Sequence, residues 1–242
     1  QIETEGSVLS CRCPDGLRGE KITLSFPSVG ATENILIAAA SADGETVILN
    51  AAREPEIADL ADFLCSCGAH ISGAGSGEIT VCGMKKLHSA EHTVIPDRII
   101  ASTYMAAAAV TGGDVRILDT RAEHITPVIP VFEQAGCKVD CGENSVHISA
   151  PVRLRSVQTV RTMPYPGFPT DSQAAVMAML SVAHGTSVMI ENIFENRYRH
   201  VRELCRLGAD IMTEGKVAVI KGVETLTGAC VCACLLYTSP SP

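Results

Sequence analysis

The chain has 242 residues, 46% hydrophobic and 19% charged, with a net charge of −8 and no Trp. It is long enough for one large or two ordinary domains, each with a real core. No apolar run reaches bilayer length, and four Tyr and five Phe without a basic block make neither a stacking platform nor a phosphate stripe. Neither a membrane nor a nucleic acid is therefore expected as a partner. With no charged-then-apolar leader the expected location is cytoplasmic, and a start at Gln1 rather than Met reads as a fragment or a processed form.

In chain order, Gln1–Ser10 reads as a hairpin turning at Gly6, the end of a repeat that begins upstream. Three segments of about seventy residues then share one pattern. The first has a strand Lys21–Phe26, Ser28-Val29-Gly30-Ala31-Thr32 opening an Ala-rich helix to Ala42, and a strand Thr46–Leu49. A loop Arg53-Glu54-Pro55-Glu56, a helix to Cys67 and a hairpin closing on Ile79–Cys82 complete it. Lys85–Ala90 joins it to the second segment. That one runs His92–Ile95, Pro96-Asp97-Arg98, a helix to Val110, a strand Val115–Leu118, the loop Arg121–His124, a helix to Ala135, and a hairpin on Val146–Ile148. The third runs Val157–Arg161, Pro169-Thr170-Asp171, a helix to Ala183, a strand Ser187–Ile190, a loop around Arg197, a helix to Leu207, and a hairpin on Val217–Ile220.

The glycines keep step, with 24 positions from Gly44 to Gly68, 23 from Gly113 to Gly136 and 23 from Gly185 to Gly208. Each is expected where the chain leaves a helix and needs a left-handed residue. A strand–helix–strand–helix–strand–strand unit cannot bury both faces alone, so copies must pack together. The runs Ala38–Ala40, Ala106–Ala109 and Ala174–Ala175 suit close helix approach, with helices inside and sheets outside. Residues 234–242, Cys-Leu-Leu-Tyr-Thr-Ser-Pro-Ser-Pro, break the pattern and read as non-family sequence, an artefact of truncation, frame or assembly.

The eleven cysteines include Cys11-x-Cys13, Cys65-x-Cys67 and Cys230-x-Cys232-x-Cys234. None forms a CxxC knuckle and no His pair stands nearby at ligand spacing, so no metal site is expected. An odd count without a leader argues for reduced thiols, buried or at the surface and without a ligand role, each treated as a small hydrophobe. A thiol-rich metal binder is the competing reading.

Phe26-Pro27-Ser28-Val29-Gly30-Ala31-Thr32-Glu33-Asn34, Asn50-Ala51-Ala52-Arg53-Glu54-Pro55-Glu56-Ile57, Pro96-Asp97-Arg98, Phe168-Pro169-Thr170-Asp171 and Phe194-Glu195-Asn196-Arg197 together resemble the enolpyruvyl transferases, over Gln1 to about Ala233. The resemblance implies an α/β fold of paired inside-out α/β barrels built from repeated βαβαββ units, here incomplete. Residues 1–96 would be the end of a first barrel and 97–233 most of a second. It implies a reaction joining phosphoenolpyruvate to the 3-hydroxyl of UDP-N-acetylglucosamine with loss of phosphate, in peptidoglycan precursor synthesis. No cofactor is implied, and a monomer is favoured.

The resemblance also implies roles for particular residues. Asp171 would bind and deprotonate the sugar hydroxyl, since a carboxylate at hydrogen-bond distance can take that proton; the bland alternative is a helix cap. Ser28, Val29 and Gly30 would meet the UDP moiety at a helix start, where free N–H groups favour a diphosphate; the alternative is again a cap. Thr170 and Ile193 would contact the nucleotide sugar, although Ile193 by itself reads as core. Arg197 would lie on the phosphoenolpyruvate side, its fork suited to phosphate or carboxylate, or else in a surface ion pair with Glu195 or Glu203. Arg53, Glu54 and Glu56 occupy the equivalent loop of the first repeat and are candidates for the cleft. Asp97 and Arg98 are read as hinge residues. The histidines at 70, 88, 92, 124, 147, 184 and 200 are read as structural or exposed, without clear partners. The family's cysteine loop would lie upstream of Gln1, so no turnover is expected from this chain alone. A shikimate 3-phosphate transferase and a non-catalytic nucleotide-sugar-binding repeat protein remain as alternatives.

Overall fold

A computed structural model describes residues 2–84 and 86–232; residues 234–242, read above as non-family sequence, lie outside the described residues. The chain divides between Ile95 and Pro96 into two compact units.

The first unit opens with the hairpin β1 (Ile2–Glu5) and β2 (Val8–Cys11), turned at Gly6 with φ +60°. There follow β3 (Lys21–Thr23), α1 (Val29–Ala39), β4 (Glu45–Leu49), α2 (Pro55–Ser66), β5 (His70–Ser72) and β6 (Glu78–Cys82). The sheet order is β3-β4-β6-β5, with β3 parallel to β4 and the other pairs antiparallel. Alternation along β4 and β6 sends Ile48, Ile79 and Val81 inward, as the two-residue period of a pleated strand requires. They pack on Leu36 of α1 and on Ile57 and Leu64 of α2.

The second unit holds two repeats. One comprises α3 (Arg98–Val110), β7 (Asp114–Leu118), α4 (Ala122–Ile125), α5 (Ile129–Gln134), β8 (Lys138–Cys141) and β9 (Ser145–Ser149). The other comprises β10 (Thr159–Arg161), a 3₁₀ turn at Thr170–Ser172, α6 (Gln173–Leu180), β11 (Thr186–Ile190), α7 (Arg199–Arg206), β12 (Asp210–Glu214) and β13 (Val217–Lys221). Their sheets run β7-β9-β8 and β10-β11-β13-β12. One core passes through both, with Met105, Phe132, Ile148, Met177, Leu180 and Met189 all essentially inaccessible. Small residues let α3 approach the next repeat, and the buried Ser102 and Ser172 hydroxyls meet at 2.7 Å where α3 reaches the turn before α6. Their mutual bond satisfies both groups away from water.

The first and third repeats share one close backbone crossing. Gly83 N–H donates to the Gly44 carbonyl and Gly222 N–H to that of Gly185. A Cβ at Gly83 or Gly222 would land on the carbonyl oxygen of Ala42 or Ala183, so glycine is needed at both.

Several expectations are corrected. His92–Ile95 is not a strand. The His92 ring bonds Asp59 Oδ1 at 2.9 Å and packs on Phe63, both on α2, so this segment is held by the first unit and the β7 sheet keeps three strands. The helix expected up to Ala135 is divided into α4 and α5. Pro127 and Pro130 lie at the break, and proline supplies no N–H to a helix ladder. The left-handed glycine of that repeat is Gly112, with φ +64°, rather than Gly113. The leading strands β3 and β10 are also shorter than expected, as are α1 and α6.

Candidate substrate site

In the third repeat the site is built around a residue that sequence reasoning missed. Glu191 follows the last residue of β11, and its N–H still donates to the Lys216 carbonyl at 2.8 Å. Its side chain is only 1% exposed. Oε1 accepts from Thr162 Oγ1 (2.9 Å), Ile193 N (2.8 Å) and Phe194 N (3.0 Å). Oε2 accepts from Thr170 Oγ1 (2.8 Å) and Gln173 Nε2 (3.0 Å). These uncharged donors fill the lone pairs of a carboxylate that would otherwise be costly to bury. Thr162 is fixed in turn, because its Oγ1 accepts from Asn192 N at 2.9 Å.

Two segments 26 residues apart thereby converge, and Arg197 Nη2 meets Asp171 Oδ1 at 2.5 Å. The guanidinium also lies 4.9 Å from the Phe194 ring centroid, a cation–π arrangement that limits its freedom. Asn196, at φ +55°, takes a left-handed conformation that asparagine tolerates. The Tyr198 hydroxyl lies 3.0 Å from the carbonyls of Met189 and Lys216. Burial and the neighbouring Glu191 charge push its pKa up to about 12. His200, 7% exposed, makes no sound ring hydrogen bond among the described residues, and burial holds its pKa below the ordinary imidazole value.

The bland alternatives hold only in part, since Arg197 is in a solvent-accessible ion pair, though with Asp171. Asp171 lies inside the 3₁₀ turn, whose N-cap is Pro169, while Ser172 precedes α6 without a side-chain cap bond. Arg197 pairs with neither Glu195 nor Glu203; Glu203 lies 3.6 Å from Arg206 and accepts from Cys232 N. Ile193 is half-buried in a turn held by Glu191 rather than in the core.

In the first repeat Ser28 does cap α1, its Oγ accepting from Ala31 N at 3.3 Å. Thr32, fully buried, donates to Ser28 O at 2.8 Å and accepts from Ala52 N at 3.0 Å. It therefore ties the Ser28-Val29-Gly30 helix start to the Arg53–Glu56 loop, and a Cβ on Gly30 would meet open space. Glu54 is buried with Oε2 on Arg53 N, whereas Arg53 itself is exposed beside the turn at Gly77. Burial, then the charges of Glu56 and Glu54, raise the pKa of Glu33 on α1. Asp97 caps α3 through Ile99 N and Ile100 N, and Arg98 stacks over Tyr165.

One further reading is corrected. His92 and His147 do have partners, Asp59 at 2.9 Å and Asp114 at 2.7 Å. Of the described cysteines only Cys67 and Cys137 are buried, while eight are exposed and none is in a disulfide. Buried and surface thiols are thus both present, the surface ones in the majority. Among the described residues no cluster of His, Cys, Asp or Glu has the makings of a metal site, and no helix is long and apolar enough to cross a membrane.

The family model for EPSP synthase (3-phosphoshikimate 1-carboxyvinyltransferase) matches residues 2–235. The chain belongs to that family, the enolpyruvyl transferases. Among solved structures it is similar to the enolpyruvyl transferase NikO from Streptomyces tendae, with a TM-score of 0.80 and 23% identity over 92% of this chain and 55% of that one. EPSP synthase from Acinetobacter baumannii gives a TM-score of 0.63 at 24% identity. At such identities the likeness is one of fold.

The sequence relatives are more particular, and they carry the name UDP-N-acetylglucosamine 1-carboxyvinyltransferase. One from Caldanaerobacter subterraneus subsp. tengcongensis is 50% identical over 96% of this chain and 56% of its own length. Others from Finegoldia magna and Zymomonas mobilis are 49% identical, over 96% and 100% of this chain and 55% and 57% of their lengths. The chain thus spans a little over half the length of these relatives.

Proposed function

We propose that the protein to which this chain belongs transfers the enolpyruvyl group of phosphoenolpyruvate to the 3-hydroxyl of UDP-N-acetylglucosamine, releasing phosphate for peptidoglycan synthesis in the cytoplasm. The observation that carries this reading is the convergence of the Asp171 carboxylate and the Arg197 guanidinium at the end of β11, in a chain half identical to relatives named for that reaction. In this reading the first unit closes one barrel and the second forms most of the other.

Asp171 accepts the proton of the sugar hydroxyl as its oxygen bonds to the enolpyruvyl carbon. Arg197 holds phosphate or carboxylate on the phosphoenolpyruvate side with its planar fork. Binding the anion takes Arg197 from Asp171 and leaves the carboxylate free to act as base. Thr170 and Ile193, both tied to Glu191, contact the nucleotide sugar beside it. Ser28, Val29 and Gly30 offer the start of α1 to the diphosphate. In the adjoining loop Arg53 is the exposed group available to substrate, while Glu54 and Glu56 shape its surroundings.

The test is calorimetric titration of UDP-N-acetylglucosamine into the 242-residue chain, with Asp171→Ala as the comparison and shikimate 3-phosphate as the competing ligand. Nucleotide-sugar binding that is lost in Asp171→Ala supports the reading. Undiminished affinity in the variant, or preference for shikimate 3-phosphate, contradicts it.

A further inference from the structure

We propose that Glu191 is a positioning residue that sets the spacing of Asp171 and Arg197, and so the affinity of the site for its nucleotide sugar. The second part rests on the function proposed above; the first stands on geometry alone. No donor on Glu191 comes from either member of the pair. Its contacts instead fall on the backbone and side chains that carry them: Thr170 and Gln173 flank Asp171 and the start of α6, while Ile193 and Phe194 begin the loop that ends at Arg197. Oε2 holds the first arm and Oε1 the second, so one rigid carboxylate spans both.

The repeats themselves make the case that this is more than strand termination. After β4 and β7 the chain turns through left-handed Asn50 and Asp119, at φ 56° and 51°, and the next ladder donors are Ala51 N and Thr120 N. After β11 the turn residue is absent, and Glu191 takes the ladder bond directly. A buried carboxylate is an expensive way to end a strand that two sister repeats end with a simple turn. A local rule broken in one copy of a repeat marks a place where something besides folding is served.

Glu191→Gln is nearly isosteric. Its amide oxygen can still accept from Thr162, Ile193 and Phe194, but its NH₂ then points at the Gln173 amide donor and the Thr170 hydroxyl. The helix-start arm is loosened while the loop arm is kept. Thr170→Val is the milder companion, since it removes one donor and leaves Glu191 in place.

Two measurements on the whole 242-residue chain decide the matter. Side-chain NMR of Arg197 reads hindered rotation about Cζ–Nη, which reports the pair with Asp171 without any substrate. Calorimetry with UDP-N-acetylglucosamine reads the site. The native chain should show hindered Arg197 rotation. Glu191→Gln should abolish it and weaken binding at least about tenfold, roughly 1.4 kcal/mol, with Thr170→Val intermediate in both. A merely structural role would lower the melting temperature and leave the Arg197 signal of the folded protein unchanged; that result overturns the proposal. If Glu191→Gln does not fold, Thr170→Val alone decides, and native Arg197 behaviour in it overturns the proposal. A native chain without nucleotide-sugar affinity counts against the proposed function, whereas the Arg197 signal still decides the role of Glu191.

Discussion

Arg197 Nη2 and Asp171 Oδ1 form an ion pair between segments 26 residues apart, and both groups keep access to solvent, at 25% and 56%. Such an exposed pair is worth little to folding, about 0–1 kcal/mol. Asp171→Asn should therefore shift the urea midpoint of the chain by less than about 1 kcal/mol-equivalent while reducing nucleotide-sugar affinity. A large loss of stability would identify the pair as a folding element instead.

His200 supplies a pH dependence with a definite sign. Burial lowers its folded pKa below the ordinary 6.5, so the unfolded chain binds the proton more readily. The stability contributed by the neutral ring is fully present above pH 6.5 and is lost as pH falls from there toward the folded pKa. Urea unfolding at pH 7.5 and 5.5 should show the second unit weaker at the lower pH. His200→Leu should flatten that difference, and an unchanged slope in it would place the effect elsewhere.

The thiols should separate into two classes. Burial pushes Cys137 up to about 11 and Cys67 is buried too, and the reactive species is the thiolate. Iodoacetamide at pH 8 on the folded chain, followed by peptide mass mapping, should modify Cys65, Cys82 and Cys205 and spare Cys67 and Cys137. Denaturation should expose both. Equal labelling of Cys137 in the folded state would contradict the packing of the second unit.

Gly222→Ala tests the crossing shared by the first and third repeats. The new Cβ would land on the Ala183 carbonyl oxygen, and neither backbone can yield without parting the bond from Gly222 N to Gly185 O. A destabilisation of about 2 kcal/mol or more is expected from such overpacking. Gly30→Ala, whose Cβ meets open space, should cost far less. Thermal melts of the two variants make the comparison.

The order of elements was legible because it depends on local chemistry. Alternating apolar residues drew Ile48, Ile79, Val81, Ile148 and Ile220 inward from their strands, and left-handed glycines closed the helices at Gly44, Gly68, Gly136, Gly185 and Gly208. Where a local signal had two outlets, the sequence could not choose. His92–Ile95 has strand-forming residues, yet the Asp59 carboxylate and Phe63 ring, reached only after α2 folds, hold His92 elsewhere.

The same division runs through the site. By itself the sequence determined the repeat, the helix start at Ser28 and the family, because spacing and motif are properties of the chain. The tertiary structure alone decided that Arg197 answers to Asp171 rather than to Glu195 or Glu203, and that Glu191 goes inside. A glutamate after an apolar strand is ordinarily solvated. It is buried here because donors from positions 162, 170, 173, 193 and 194 arrive together, a coincidence in space that no linear spacing encodes.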